Sequence, residues 1–98
     1  MPDIKQGLIA VRELLADPAR WTQEVVARTS LGEEVDARDP EAVCWCLYGA
    51  CKKVGGAYFT DIVSNAVPGI SIGMFNDTST HEEVLAFLNQ EISKCQSN

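Results

Sequence analysis

The sequence predicts a mainly α fold of the α+β class: a compact domain of three to four helices around a central buried helix, with a small β-hairpin. Two segments, 4–16 and 81–95, have apolar residues at helical spacing after an N-terminal cap. Between them, the run 42–51 is hydrophobic on every side and is therefore expected to be buried. The chain is predicted to be a single domain, 1–98, with a polar tail at about 96–98.

The N-terminal part predicts one helix followed by a hairpin. Apolar residues recur on one helical face at Ile4, Leu8, Val11 and Leu15. Asp3 is expected to cap this helix, and Pro18 to end it. The β-branched segment 25–29, a turn at Gly32 and the short segment 34–36 then predict two antiparallel strands.

The apolar run is predicted to form the central helix. Residues 39–41 (DPE) provide a cap, a proline suited to the first helical position and an acid at the positive end of the dipole. Residues 52–56 (KKVGG) provide cations and glycines suited to its end. The small residues 49–50 (GA) indicate close packing of a neighbouring element against this helix.

The C-terminal part predicts two further helices. Thr60 is expected to cap a short helix through about Ala66, and the apolar segment 70–75 is compatible with either a short strand or a buried loop. Thr80 and Glu83 form a capping box that opens the last helix. The apolar face of that helix consists of Val84, Leu85, Leu88, Ile92 and Cys95.

Composition and charge favour a protein partner over nucleic acid or lipid. The chain has 14 acidic and 8 basic residues, a formal net charge of −6. Because a negative surface repels phosphate groups and anionic lipid, we expect no direct binding of nucleic acid or membranes, and a protein partner with a basic surface instead. No segment approaches the roughly 18 apolar residues of a membrane span, and the N-terminus has no cleavage signal, which predicts a cytoplasmic protein of a bacterium or an infected host cell.

The cysteines of the apolar run are expected to be buried and inert. On a helix, Cys44 and Cys46 point to nearly opposite sides and cannot bind one metal ion together. Cys44 and Cys51 share a face but lie about 10 Å apart along the axis, too far for a disulfide. His81 and Cys95 are the remaining soft ligands, and neither belongs to a metal-binding pair. We therefore predict no metal and no cofactor.

A thiol nucleophile is the alternative chemical interpretation. Cys46 and His81 are the minimum set for thiol catalysis, and Asn76 or Asp77 are suited to orienting the imidazole. A reactive cysteine needs a partly exposed and electropositive site, whereas this one lies in an apolar run. We therefore predict no catalytic residues and no enzymatic activity.

Five motifs resemble an uncharacterised family of small bacterial and phage proteins. They are W-T-Q-x-x-x-A-R, G-x-x-V-D, D-P-x-A-V-C-W-C-x-x-G-A, F-N-D and T-H-x-E-V-L. The match covers roughly residues 21–92, and Phe75 stands where the family often has tryptophan. The resemblance implies a shared small fold and no particular activity.

The motif residues form either a functional site or a folding signature. They are Trp21, Arg28, Trp45, Cys46, Gly49, Asn76, Asp77 and His81. Most of these residue types suit a buried polar network that fixes one fold. Within such a network, Arg28 is suited to pairing with Asp77, and Asn76 to bridging the hairpin to the last helix.

Two classes of function follow from these observations. The first is a small non-enzymatic protein-interaction module, such as an anti-CRISPR-like inhibitor from a phage or mobile element, acting on the basic nucleic-acid-binding surface of a host protein. Its interaction residues would be Glu33, Glu34, Asp36 and Asp39, which steer association through charge. The second is a thiol-dependent enzyme or ligand-binding domain that uses Cys46, His81 and Asp77. A homodimer without another partner remains a third possibility.

Overall fold

The computed structural model describes residues 3–95, which form four α-helices and three short β-strands. In chain order these are α1 (Ile4–Leu14), β1 (Ala27–Thr29), β2 (Glu34–Val35), β3 (Ala42–Trp45), α2 (Leu47–Ala66), α3 (Ile72–Thr78) and α4 (His81–Lys94). The predicted mainly α fold with a small amount of β structure is confirmed. The predicted polar tail at 96–98 lies outside the described residues.

The predicted first helix and hairpin are both present. Asp3 caps α1, and its carboxylate accepts a hydrogen bond from the backbone N–H of Lys5 at 3.3 Å. The helix ends at Leu14, before the short 3₁₀ turn that starts at Pro18. Strands β1 and β2 pair antiparallel, and Gly32 in their turn has a positive φ of 83°.

The prediction that the central helix begins at 39–41 is wrong. Residues 42–45 form β3 instead, which pairs antiparallel with β1 and gives the sheet order β2-β1-β3. Asp39 caps a turn, where its carboxylate accepts a hydrogen bond from the N–H of Glu41 at 2.8 Å. An apolar run does not by itself distinguish a buried strand from a buried helix, and here pairing with β1 decides the outcome.

Helix α2 is longer than predicted and is kinked. It begins at Leu47 and continues past the glycines to Ala66, with Gly56 in a non-helical conformation (φ 77°) inside it. The glycines therefore mark a kink and not an end. The predicted short helix is the second half of α2, and Thr60 does not cap it: its hydroxyl donates to the Gly56 carbonyl at 2.7 Å.

The two C-terminal helices differ in how well the sequence predicts them. Most of the segment 70–75 is neither a strand nor a loop, since α3 begins at Ile72 after its cap Ser71. Helix α4 has the predicted capping box. In that box the Thr80 hydroxyl accepts from the Glu83 N–H at 3.1 Å, and the Glu83 carboxylate accepts from the Thr80 N–H at 2.8 Å.

The core lies where α1, α2 and α4 pack together beside the sheet. Its largest fully buried apolar side chains are Val11, Leu15, Leu47, Val63, Val84 and Leu88. The predicted close packing at 49–50 is confirmed, because a Cβ atom on Gly49 would overlap the carbonyl group of Val26. No helix within residues 3–95 has the length and apolar character needed to cross a membrane.

The cysteines are less uniformly buried than predicted. Cys44 lies in β3, so the helical geometry used to separate it from Cys46 and Cys51 does not apply. Cys46 and Cys51 are buried, but Cys44 is only half-buried and Cys95 is exposed. All four are free thiols.

Candidate functional site

Asn76 is the centre of a buried polar cluster. It is fully buried in α3, and its side-chain oxygen accepts hydrogen bonds from the indole N–H of Trp21 at 2.7 Å and the backbone N–H of Leu47 at 3.0 Å. Its side-chain nitrogen donates to the Thr22 carbonyl at 3.1 Å and the Asp77 carboxylate at 3.1 Å. Asn76 therefore joins the segment before β1 to the start of α2, and not the hairpin to α4 as predicted.

The segment 22–24 is held on both sides. Arg28 donates from Nε to the Thr22 hydroxyl at 2.9 Å and from Nη2 to the Gln23 carbonyl at 3.3 Å. On the other side, the Asp77 carboxylate accepts from the backbone N–H of Glu24 at 2.8 Å. The structure gives no ion pair between Arg28 and Asp77, so the predicted pairing is wrong: the two side chains bind the same segment separately.

Glu24 has an unusual backbone conformation and an exposed side chain. Its φ is +74°, in the left-handed region that is costly for a residue with a Cβ atom. The hydrogen bond from its N–H to Asp77 stabilises this conformation. The preceding residue, Gln23, is anchored by three hydrogen bonds of 3.2 Å each. Its Nε2 donates them to the carbonyl oxygens of Asn76, Asp77 and Ser79. The backbone of Glu24 is thereby held beside α3, and its side chain is exposed.

Cys46 caps helix α2 and is a protonated thiol at neutral pH. Its sulfur accepts a hydrogen bond from the Gly49 N–H at 3.3 Å. Burial raises the pKa of Cys46, and the negative charge of Asp77 acts in the same direction, against the opposing effect of the Gly49 and Tyr48 N–H groups. Burial also raises the pKa of Cys51. For Cys46, burial therefore outweighs the N–H groups at the start of α2, which are the kind of group that activates a thiol nucleophile.

His81 is not paired with Cys46. Its Nε2 lies 2.6 Å from the carbonyl oxygen of Leu15, and its ring packs 5.7 Å from the ring of Trp21. The structure gives no hydrogen bond between His81 and either Cys46 or Asp77. The three residues of the thiol alternative are therefore not assembled as a nucleophile, base and orienting group. Among residues 3–95 no group of three His, Cys, Asp or Glu is placed to hold a metal ion.

A groove runs along the surface between the hairpin, α2 and the start of α3. It consists of two cavities, of about 490 and 400 Å³, which share Val26, Glu34 and Tyr48. The other residues lining it are Glu24, Val25, Val35, Asp36, Ala37, Cys46, Lys52, Ser71, Ile72, Gly73 and Asp77. Apolar residues form much of its lining, and four carboxylates lie along it. We call this surface the acidic groove because of these carboxylates.

Within residues 3–95, the carboxylates of the acidic groove form no ion pair. They belong to Glu24, Glu34, Asp36 and Asp77. The ion pairs found within residues 3–95 are Arg12–Glu13 and Lys94–Glu91, and both lie elsewhere. A basic group that entered the groove would therefore meet unpaired negative charge.

The structure divides the predicted interaction residues. Glu34 and Asp36 line the acidic groove, whereas Glu33 is exposed beside the hairpin turn and Asp39 caps a turn. Sequence reasoning did not single out Glu24 or Tyr48. Glu24 meets Asp77 from 53 residues away, and no local pattern signals this contact. Tyr48 gave a weak signal, because a tyrosine in a buried run usually brings its hydroxyl towards a polar partner or solvent.

The comparisons with known proteins identify the family. The model of a family of unknown function, DUF6197, matches residues 1–93 of the chain. The chain belongs to this family. No curated protein and no solved structure matches it.

Membership of DUF6197 confirms the resemblance to an uncharacterised family, over a longer stretch than the motifs cover. It brings no activity with it, because the function of the family is unknown. In this DUF6197 protein, several motif residues converge on the polar cluster. Trp21 and Asp77 bond directly to Asn76, and Arg28 holds the same segment of the chain. The cluster lies next to the acidic groove, since Asp77 belongs to both.

Proposed function

We propose that this DUF6197 protein is a non-enzymatic interaction module that binds a basic segment of a partner protein in the acidic groove. The observation that carries the proposal is the combination of an apolar lining with four carboxylates that form no ion pair in the part of the chain that the structure describes. An apolar lining favours side chains that leave water, and unpaired carboxylates favour lysine or arginine beside them. The net charge of −6 acts in the same direction by attracting a basic partner from a distance.

The polar cluster supports this proposal because it fixes one wall of the groove. Hydrogen bonds hold the Asp77 carboxylate and the backbone of Glu24 in place, so this part of the groove does not need to be ordered when a partner binds. A site that is ordered in advance loses less conformational entropy on binding. The predicted interaction residues Glu33 and Asp39 lie outside the groove lining, and we assign them a role in steering the partner by charge.

The observations on the thiols give no support to the enzyme alternative. Burial raises the pKa of Cys46, its sulfur caps a helix, and His81 is bonded to another part of the chain. The narrower hypothesis of an anti-CRISPR-like inhibitor specifies one kind of basic partner, a nucleic-acid-binding surface of a host protein. It rests on size and charge alone.

The experiment compares two variants that each remove two negative charges. The Glu34→Gln/Asp36→Asn variant removes two of the four groove charges, and the Asp61→Asn/Glu82→Gln variant neutralises two exposed residues outside the groove. Proteins captured from a bacterial lysate on the wild-type chain would be identified by mass spectrometry, and the affinity of each purified partner would be measured for all three proteins.

The expected result is a loss of affinity that is specific to the groove variant. Two exposed ion pairs at about 0.7 kcal/mol each correspond to a tenfold weaker Kd. The control variant should bind within about twofold of wild type, and raising the salt concentration should weaken wild-type binding. Equal affinities for the two variants, or an affinity that does not depend on salt, would refute the proposal.

A further inference from the structure

Strand β2 lies at the edge of the sheet. The strand order β2-β1-β3 places β1 on one side of β2, and within residues 3–95 no strand pairs with its other side. An edge strand presents backbone N–H and C=O groups that another extended chain can bond. The opposite edge of the sheet differs, because Trp21 forms a bridge to Trp45 of β3 there.

The free edge of β2 faces the acidic groove. Four consecutive residues, 34–37, line the larger cavity. Successive side chains of an extended strand point to opposite faces, so side chains alone would place only alternate residues in one cavity. Both residues of β2, Glu34 and Val35, nevertheless line this cavity, so the backbone of β2 contributes to its wall; Asp36 and Ala37 belong to the turn that follows.

The alternation of hydrogen-bonded pairs in the hairpin agrees with this orientation of the β2 edge. The Thr29 N–H donates to the Glu33 carbonyl at 2.9 Å, and Arg28 lies opposite Glu34. In an antiparallel pair, residues that bond each other alternate with residues whose backbone groups point outwards. Glu34 is one of the latter, so its N–H and C=O are directed away from β1.

Helix α2 forms the opposite wall of the groove, and the two ends of the groove differ in charge. Tyr48 and Lys52 lie one turn apart on α2 and line the cavity across from β2. At this end Arg38 donates to the Lys52 carbonyl at 3.1 Å, which adds a second cation. At the end near Glu24 the charged lining residues are all carboxylates: Glu24, Glu34 and Asp77. A groove between an edge strand and a helix accepts an extended peptide that adds a strand to the sheet.

We propose that the partner segment binds as an extended strand added to β2, with lysine or arginine side chains at the end of the groove marked by Glu24 and Glu34. This inference rests on the proposed function and specifies how the basic segment is recognised. The added strand bonds the outward N–H and C=O of Glu34. In the added strand, alternate side chains are apolar and point towards Val26 and Tyr48.

The test begins with peptides selected from a randomised ten-residue library on the wild-type protein. Each selected peptide is then resynthesised with one backbone nitrogen methylated at a time, which removes a hydrogen-bond donor and leaves the side chain unchanged. Strand addition predicts that methylation weakens binding about tenfold at the one position whose N–H bonds the Glu34 carbonyl, and much less at the positions on either side of it. It also predicts slower hydrogen exchange of the Glu34 amide in the complex, measured by NMR.

A pair of variants at one position provides an independent measurement. Glu34→Gln removes the charge, whereas Glu34→Pro removes the charge and also the outward N–H, at an edge position where a strand tolerates proline. Circular dichroism and thermal unfolding would show that both variants fold. Strand addition predicts that the proline variant binds the peptides about tenfold more weakly than the glutamine variant.

The outcomes separate this inference from the proposed function. If basic peptides are selected but no single methylation weakens binding more than the others and Glu34 exchange is unchanged, strand addition is wrong while the interaction module stands. If no peptide is selected, or if the selected peptides are not basic, both are refuted. If folded Glu34→Pro binds as tightly as Glu34→Gln, the backbone bond is absent and strand addition is likewise overturned.

Discussion

Replacing Asn76 by alanine should destabilise the protein by about 2–6 kcal/mol. The change removes four hydrogen bonds and leaves the buried N–H of Leu47 and the half-buried indole N–H of Trp21 without their acceptor. A buried donor that loses its partner costs about 1–3 kcal/mol, and two donors give the expected range. A domain of this size has a total stability of about 5–15 kcal/mol, so the loss is a large fraction of it.

The loss can be measured by urea unfolding followed through tryptophan fluorescence and far-UV circular dichroism. With an m-value of about 1.5 kcal/mol per molar urea, a loss of 3 kcal/mol lowers the midpoint by about 2 M. The control is Asn65→Ala, since Asn65 is exposed on α2 and alanine has a higher helix propensity there. A midpoint for Asn76→Ala equal to that of the control would show that the cluster does not hold the fold together.

Two further predictions concern the thiols and the packing of α2. Iodoacetamide at neutral pH should modify exposed Cys95 readily and buried Cys46 only in denaturant, as measured by peptide mapping. Because burial raises the pKa of Cys46 above its ordinary value of 9.0, any labelling of the native thiol should still be increasing above pH 9, and rapid labelling at pH 7 would revive the enzyme alternative. Gly49→Ala should lower the free energy of unfolding by about 1–3 kcal/mol, since the new methyl group overlaps the Val26 carbonyl. Gly73→Ala has open space around it and should be neutral or stabilising by up to about 1 kcal/mol, so equal losses for the two variants would contradict this packing.

Local signals in the sequence were sufficient for the two terminal helices and the hairpin. Asp3 and the Thr80 capping box bond to backbone groups within three residues along the chain, so the sequence alone contains both partners. The turn at Gly32 is equally local. By contrast, Gly56 was expected to end a helix, and tertiary packing continues the helix beyond it.

The segment 39–47 shows where local signals fail. Its DPE start resembles a helix cap, but pairing with β1 places 42–45 in the sheet, and the helix starts only after Cys46. Asn76 stabilises this start by accepting the Leu47 N–H from 29 residues away. A bond of that kind is not visible in any local pattern, and it outweighs the weak intrinsic preference of the segment.

The sequence by itself determined the fold class, the family and the negative charge, because these depend on composition, periodicity and motif order. Only the tertiary structure decided which acidic residues lie together on one surface. Glu24 and Asp77 meet across 53 residues, and Glu34 joins them because the hairpin folds beside α2. The physical reason is that the groove is made by contacts between distant segments, whereas sequence patterns report contacts within a few residues.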